Sequence, residues 1–248
     1  MARHKVRRAE PKSLPRRSST AATVPVVEVS QGDAAFYTLR RAIIDCDLRP
    51  GEEVSQPGLA QQFSMSLASV RFAMARIQQE GLAEPIPRTG YRIRPVSIAD
   101  IHDVFRLRLM LEPKAAAMAA GKIQLRELQR LDAKCKVGFT AGNRASENAF
   151  LHANREFHMG IVKAVGSPRL TQTLERLHDE AMRMLHLTIW LRNEASVWQH
   201  GHEQILDALV RGNGAEAERI AREQLEYGRD LVLSVVLEDS SLAKLNIN

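Results

Sequence analysis

The 248-residue chain has little aromatic content, 5%, and only two cysteines, Cys46 and Cys135. No C-x-x-C spacing occurs, so the pattern gives neither a disulfide framework nor a thiolate zinc site. No apolar run approaches the roughly eighteen residues needed to cross a bilayer. The run from Leu231 to Leu237 spans seven residues and is broken by Ser234. The basic N-terminus leads into Ser18-Ser19-Thr20 and a stretch broken by Pro25, without an apolar segment of secretory length. These absences predict a soluble protein of the reducing cytoplasm with no membrane contact. Catalytic signatures are also missing: there is no G-x-S-x-G elbow, no phosphate-cradling glycine loop and no H-E-x-x-H helix. A di-iron bundle needs two E-x-x-H pairs, and only Glu175 to His178 has that spacing. No enzyme is expected.

Charge of one sign is lacking over most of the chain. The net charge is +6, yet residues 1–20 hold Arg3, Lys5, Arg7, Arg8, Lys12, Arg16 and Arg17 against the single Glu10. The remainder therefore carries 28 basic and 28 acidic side chains. With Pro11, Pro15, several serines and no apolar period, residues 1–30 are expected to form a disordered basic arm. Such an arm suits phosphates, where each neutralised charge adds salt-dependent affinity without sequence information. An incidental solubilising start is the plainer alternative.

What is present is 44% hydrophobic residues, enough for a core, patterned mostly for helices. Leu39, Ile43 and Ile44 share one face of a helix that begins near Asp33 and stops at Pro50-Gly51. A second short helix is predicted over Pro57 to Phe63, capped by Ser55. A third is capped by Ser66, carries Val70, Ala73, Met74 and Ile77 on one side and ends at Gly81. Leu82 to Ile86 and Tyr91 to Val96 then flank Pro87-Arg88-Thr89-Gly90 as a hairpin. Two short helices in close succession match a helix-turn-helix, and the hairpin is its wing. After Ser97, which opens a helix with a capping-box spacing to Asp100, no strand pattern appears. Helices are predicted over 98–120, 124–138, 144–165, 168–192, 195–211 and 215–238, with Pro113 inside the first. The fold class is mainly α: a winged helix-turn-helix at 31–96, then an all-α antiparallel helical bundle at 97–240 and a short tail at 241–248.

Residues 34–96 resemble the winged helix of the GntR family of bacterial transcription regulators. The resemblance rests on Leu48-Arg49-Pro50-Gly51-Glu52, Leu59-Ala60, Ser66, Val70-Arg71, Ala73, Glu80-Gly81-Leu82 and Arg88-Thr89-Gly90-Tyr91. Arg108, Glu112-Pro113, Phe157-His158, His202 and Ile205 to Ala208 extend it to the FadR-type branch, whose second domain binds an effector. The resemblance implies a DNA-binding regulator, a repressor by default, acting as a homodimer on a palindromic double-stranded operator. It also places a DNA-contacting arginine at Arg71, whose guanidinium can read guanine; a solvated arginine is the alternative. Ser66 and Ser69 could reach phosphates, although Ser66 is equally a cap. Arg88, Thr89 and Gly90 form the wing tip, where Gly90 could simply serve the turn. The family has arginine and proline where this chain has Leu67 and Ser69. Leu67 is left to touch a thymine methyl or to lie on the neighbouring helix, and a different operator is expected.

Six of the eight histidines fall between positions 152 and 202. His152, His178, His186 and His200 are readable as partly exposed or internally satisfied groups. Asn154 and His158, four apart, share a face with Phe150, Phe157, Ile161 and Val162, and polar groups there need partners. The resemblance implies a divalent metal, zinc or nickel, held by an aspartate and three histidines. Here Asn154 takes the aspartate position, His158 and His202 match, and Gln224 takes the last histidine position. With two of four ligands replaced, the metal site (Asn154, His158, His202) is degraded. The alternative is a cavity in which these four residues bind an organic effector directly. Arg108 suits the carboxylate of a small organic acid, or else pairs with Glu112 one turn away. A metal-binding helical enzyme and an architectural DNA binder without an effector remain the rival readings.

Overall fold

A computed structural model describes residues 30–192 and 202–238. The expected basic arm, the tail at 241–248, His200 and the start of the helix expected at 195 lie outside the described residues, apart from Ser30 at the end of the arm. Among the described residues, three helices and a three-stranded sheet precede a bundle of six helices.

The winged helix is built from local signals. Helix α1 (Gln31–Ile44) starts where the Ser30 hydroxyl accepts from the Asp33 amide, two residues ahead of the expected start. Ser55 caps α2 (Gln56–Gln62), with Pro57 in its first turn, and Ser66 caps α3 (Leu67–Gln79). Gly81, at φ +75°, follows α3 in the left-handed region. The core of this unit is Phe36, Leu39, Ile43, Leu48, Leu59, Val70, Met74, Ile77 and Ile93.

The sheet departs from expectation in two ways. A two-residue strand β1 (Glu53–Val54) joins it, with order β1-β3-β2 and all pairs antiparallel. In addition, β2 (Ala83–Ile86) and β3 (Gly90–Ile93) are displaced from the predicted segments, and β3 stops well before Val96. Pro95 has no N–H to offer a ladder, and Arg94 turns to pair with Asp100. Pro85 is tolerated because β2 is an edge strand.

The bundle comprises α4 (Ile98–Ala119), α5 (Leu125–Val137), α6 (Arg144–Ala164), α7 (Pro168–Arg192), α8 (Glu203–Val210) and α9 (Gly214–Glu238). The Ser97–Asp100 capping box starts α4, which continues through a buried Pro113. Ile44, expected on the winged-helix face, packs instead in the bundle core with Ile101, Phe105, Phe150, Met182 and Leu185. Ile43 and Ile44 are one residue, about 100°, apart around the helix, so Ile43 faces the winged-helix core and Ile44 the second domain.

Candidate DNA interface and ligand cavity

The outer side of α3 is open. Arg71 is exposed and its Nε donates to Gln56 Oε1 at 3.4 Å, a long bond that orients the side chain without holding it. Leu67 is 37% exposed rather than packed on the neighbouring helix, and Phe72 beside Arg71 is 48% exposed. Ser66 acts as the cap, accepting from the Ser69 amide at 3.1 Å. Ser69 is a correction: it is buried and its Oγ lies 2.8 Å from Ser66 Oγ, so it faces the helix start and not a phosphate. Ser69 is the third residue of α3, three after the cap, the spacing at which a side chain reaches back to the N-cap residue.

At the wing tip, Arg88 and Thr89 are exposed, and Arg88 sits at φ +66°. Gly90 is explained by packing. Its φ is +147°, and a Cβ there would collide with the Val54 carbonyl of β1.

The second site is a cavity of about 100 Å³ inside the bundle. It is lined by all five residues singled out from the sequence: Arg108, Asn154, His158, His202 and Gln224. Since roughly 10–15 Å³ of such space holds one water, a small organic molecule fits. Phe105, Phe150, Leu185, Leu225 and Leu231 supply apolar walls.

Its polar groups form a connected set. His202 Nδ1 is 3.1 Å from Asp132 Oδ1 and its Nε2 is 3.2 Å from Asn154 Oδ1. The His202 ring stacks on Phe157 with centroids 3.8 Å apart. His158 stands edge-on to both rings. Arg108 donates to Glu112 through Nε at 2.5 Å and Nη2 at 3.3 Å, so the ion pair left open from the sequence is the one formed. His178 Nε2 lies 3.3 Å from Glu112 Oε1, off the axis of a hydrogen bond. Burial pushes the His158 pKa well below its usual value, and the neighbouring His202 adds to this. Burial likewise lowers His178 and His202 despite Glu112 and Asp132 nearby. Burial alone would raise the Glu112 carboxyl, but Arg108 and His178 together hold it well below the carboxylate range.

The residues do not fit a resident zinc or nickel. Asn154 and Gln224 bring no charge to the donor set that faces the cavity. Among the described residues no three His, Cys, Asp or Glu side chains are placed to hold an ion. Sequence reasoning missed Asp132. Its i,i+4 spacing to Lys136 reads as a solvated pair, whereas it is buried, with Lys136 at 3.0 Å on one oxygen and His202 on the other.

A polar seam joins the two units. Arg40 of α1 binds Glu80, the C-cap of α3, at 2.6 Å and Asp179 of α7 at 2.8 Å. Arg155 of α6, next to Asn154, closes on the same Asp179 at 2.7 Å. Asp45, 2% exposed at the end of α1, meets His152 at 2.9 Å and takes the Arg144 guanidinium on its carbonyl. Cys46 Sγ donates to the Arg183 carbonyl at 3.6 Å, and burial pushes that thiol up to about 12.

A winged helix with an outward third helix, tied through partly buried ion pairs to a helical domain around a polar cavity, has the architecture of a DNA-binding transcription regulator. The chain belongs to the GntR family: residues 31–93 match the model "Bacterial regulatory proteins, gntR family" and residues 103–227 match the FCD domain. It is 23% identical over 205 residues to the HTH-type transcriptional repressor RspR of Escherichia coli, covering 83% of this chain and 90% of that one. It is 27% identical to the HTH-type transcriptional regulator LutR of Bacillus subtilis, covering 78% and 97%. The structure of E. coli McbR/YncC superposes with a TM-score of 0.74 at 23% identity, over 83% of this chain and 98% of that one, and shares its fold. No helix among the described residues is long and apolar enough to cross a membrane.

Proposed function

We propose that this protein is a cytoplasmic, non-catalytic, sequence-specific DNA-binding repressor, acting as a homodimer on a two-fold operator. Its DNA affinity is set by a small organic effector held directly, without a resident metal, in the bundle cavity. The carrying observation is that Arg108, Asn154, His158, His202 and Gln224 line one cavity in the domain that grips α1. Helix α7 belongs to both parts: Leu185 lines the cavity while Asp179 and His186 face α1. A ligand that shifts α7 therefore acts on the Asp179–Arg40–Glu80 chain that ends at α3. Coupling of about 1–3 kcal/mol is enough to change operator occupancy. Bases are read by Arg71, with Leu67 on a thymine methyl and Arg88 and Thr89 at the wing phosphates. One winged helix spans few base pairs, which favours a dimer on a palindrome.

RspR, a repressor by name, supports the sign of the effect. The organic acid implied for Arg108 would have to compete with Glu112 for the guanidinium. Selection from random duplexes followed by gel-shift titration tests the reading. A two-fold motif bound in preference to scrambled DNA supports it, and no enrichment rejects it.

A further inference from the structure

A second, smaller space lies where the winged helix is seated on the bundle. It measures about 40 Å³ and is walled by residues 80–82, which end α3, by residues 94–96 leaving β3, by the first turn of α4 and by α7 around Arg183. It shares no lining residue with the bundle cavity. At roughly 10–15 Å³ for each water it has room for about three or four. Bonded atoms sit closer together than neighbouring waters, so a molecule the size of glycine or alanine fits.

Five charged side chains border this space, and three of them are neutralised. Arg94 pairs with Asp100, and Glu80 is held by Arg40. Glu180 and Arg183 remain, of opposite sign and three residues apart on α7. That spacing makes them neighbours on the helix surface. Yet neither forms an ion pair among the described residues, and each acts on the other only at a distance. Arg183 is 4% exposed. Its Nη2 donates to the Arg94 carbonyl, and its Nε is enclosed without a partner. Nη1 carries no hydrogen bond and is not enclosed, which makes it the donor with access to the space. A guanidinium taken out of water with no carboxylate beside it is costly, and a ligand that brings one replaces the lost hydration. A bare anion would set its charge against Glu180, and a bare cation would meet Arg183. A molecule carrying both signs answers both.

We propose that this space binds a small zwitterion of the α-amino acid class, its carboxylate on Arg183 and its ammonium on Glu180. The site is separate from the bundle cavity and does not depend on what that cavity holds. Because its walls come from α7 and from the chain on both sides of the wing, a bound amino acid fixes the end of α3 against the bundle. Discrimination is strong, since a ligand lacking either charge leaves Glu180 or Arg183 unanswered.

The test titrates the full chain calorimetrically at pH 7.5 with glycine and L-alanine, then competes L-alanine with two fragments of its skeleton. Propionate lacks the ammonium and ethylamine lacks the carboxylate. Both amino acids are expected to bind, and either fragment is expected to displace L-alanine only at ten times its concentration or more. Glu180→Gln keeps the size of a side chain that has no ion pair to lose, and is expected to weaken L-alanine binding tenfold or more. No heat from glycine or L-alanine would overturn the inference. Displacement of L-alanine by propionate at equal concentration would make the space a plain anion site and overturn it as well. L-alanine binding unchanged by Glu180→Gln would move the amino acid elsewhere, with the same consequence. None of these outcomes alters operator binding or the bundle cavity, which are tested on DNA.

Discussion

Arg71 stands on the open side of α3 with one long contact to Gln56 and no acidic partner in the described residues. A guanidinium so placed can turn its fork to a guanine edge, which is worth about 1–3 kcal/mol of discrimination. Arg71→Ala is therefore expected to weaken binding to the selected operator by more than tenfold and binding to scrambled duplex by little. Equal losses on both duplexes in a gel-shift titration would make Arg71 a phosphate contact only. Gly90 represents the opposite case, a residue fixed by the protein itself. Gly90→Ala combines a left-handed φ with a collision against the Val54 carbonyl. A loss of about 1–3 kcal/mol is expected in urea unfolding. A change within 0.5 kcal/mol, about the ordinary surface effect, would show that β1 yields freely.

Among the elements, α7 carries the most consequence, because it is walled by the cavity on one side and by α1 on the other. Its Asp179 gathers Arg40 and Arg155 from two other helices. Asp179→Ala leaves two partly buried guanidiniums without their shared carboxylate. Calorimetric melting is expected to change from one transition to two as the winged helix uncouples from the bundle. A single transition at an unchanged midpoint would remove Asp179 from the coupling. What was legible in the sequence follows the same division between local and distant. The caps Ser55, Ser66 and Ser97 and the apolar stripe of α3 act within three or four residues, so spacing exposes them. Strand β1 is two residues long and has no period to read. Asp45, Asp132 and Asp179 look like surface acids in their own helices and are buried by partners 24 to 139 residues away. The five cavity residues were identified by resemblance and by polar groups on apolar faces, whereas the closure of Arg108 by Glu112 required geometry.

At the scale of the whole molecule, stability and response depend on keeping several buried histidines neutral. Burial lowers His186 to about 4, with Arg144 adding to the effect, and lowers His158, His178 and His202 as well. A histidine whose folded pKa lies below its unfolded value of about 6.5 binds more protons when unfolded. Stability is thus full above about pH 6.5 and falls as pH drops toward 4, by about 1.4 kcal/mol per pH unit for each such group at most. Glu112, with its folded pKa depressed, adds a further loss below its ordinary carboxyl range. The urea midpoint is expected to drop clearly between pH 7.5 and 5.0, and an unchanged midpoint would contradict neutral burial. Because the donor set does not fit a divalent ion, chelation with EDTA is expected to leave the melting temperature unaltered, and a clear fall would restore a resident metal.

If the state of the cavity governs the outward helix α3, filling the cavity alters DNA binding, which is read from the affinity of the full chain for its selected duplex, measured side by side for the wild type and Gly228→Leu. That substitution puts a side chain at a cavity-lining position where the space ahead is bounded by Phe105 at ordinary contact distance. An affinity changed about fivefold or more, with α3 and its contacts untouched, is the expected result. Identical affinity in a variant that folds normally would separate the cavity from DNA binding.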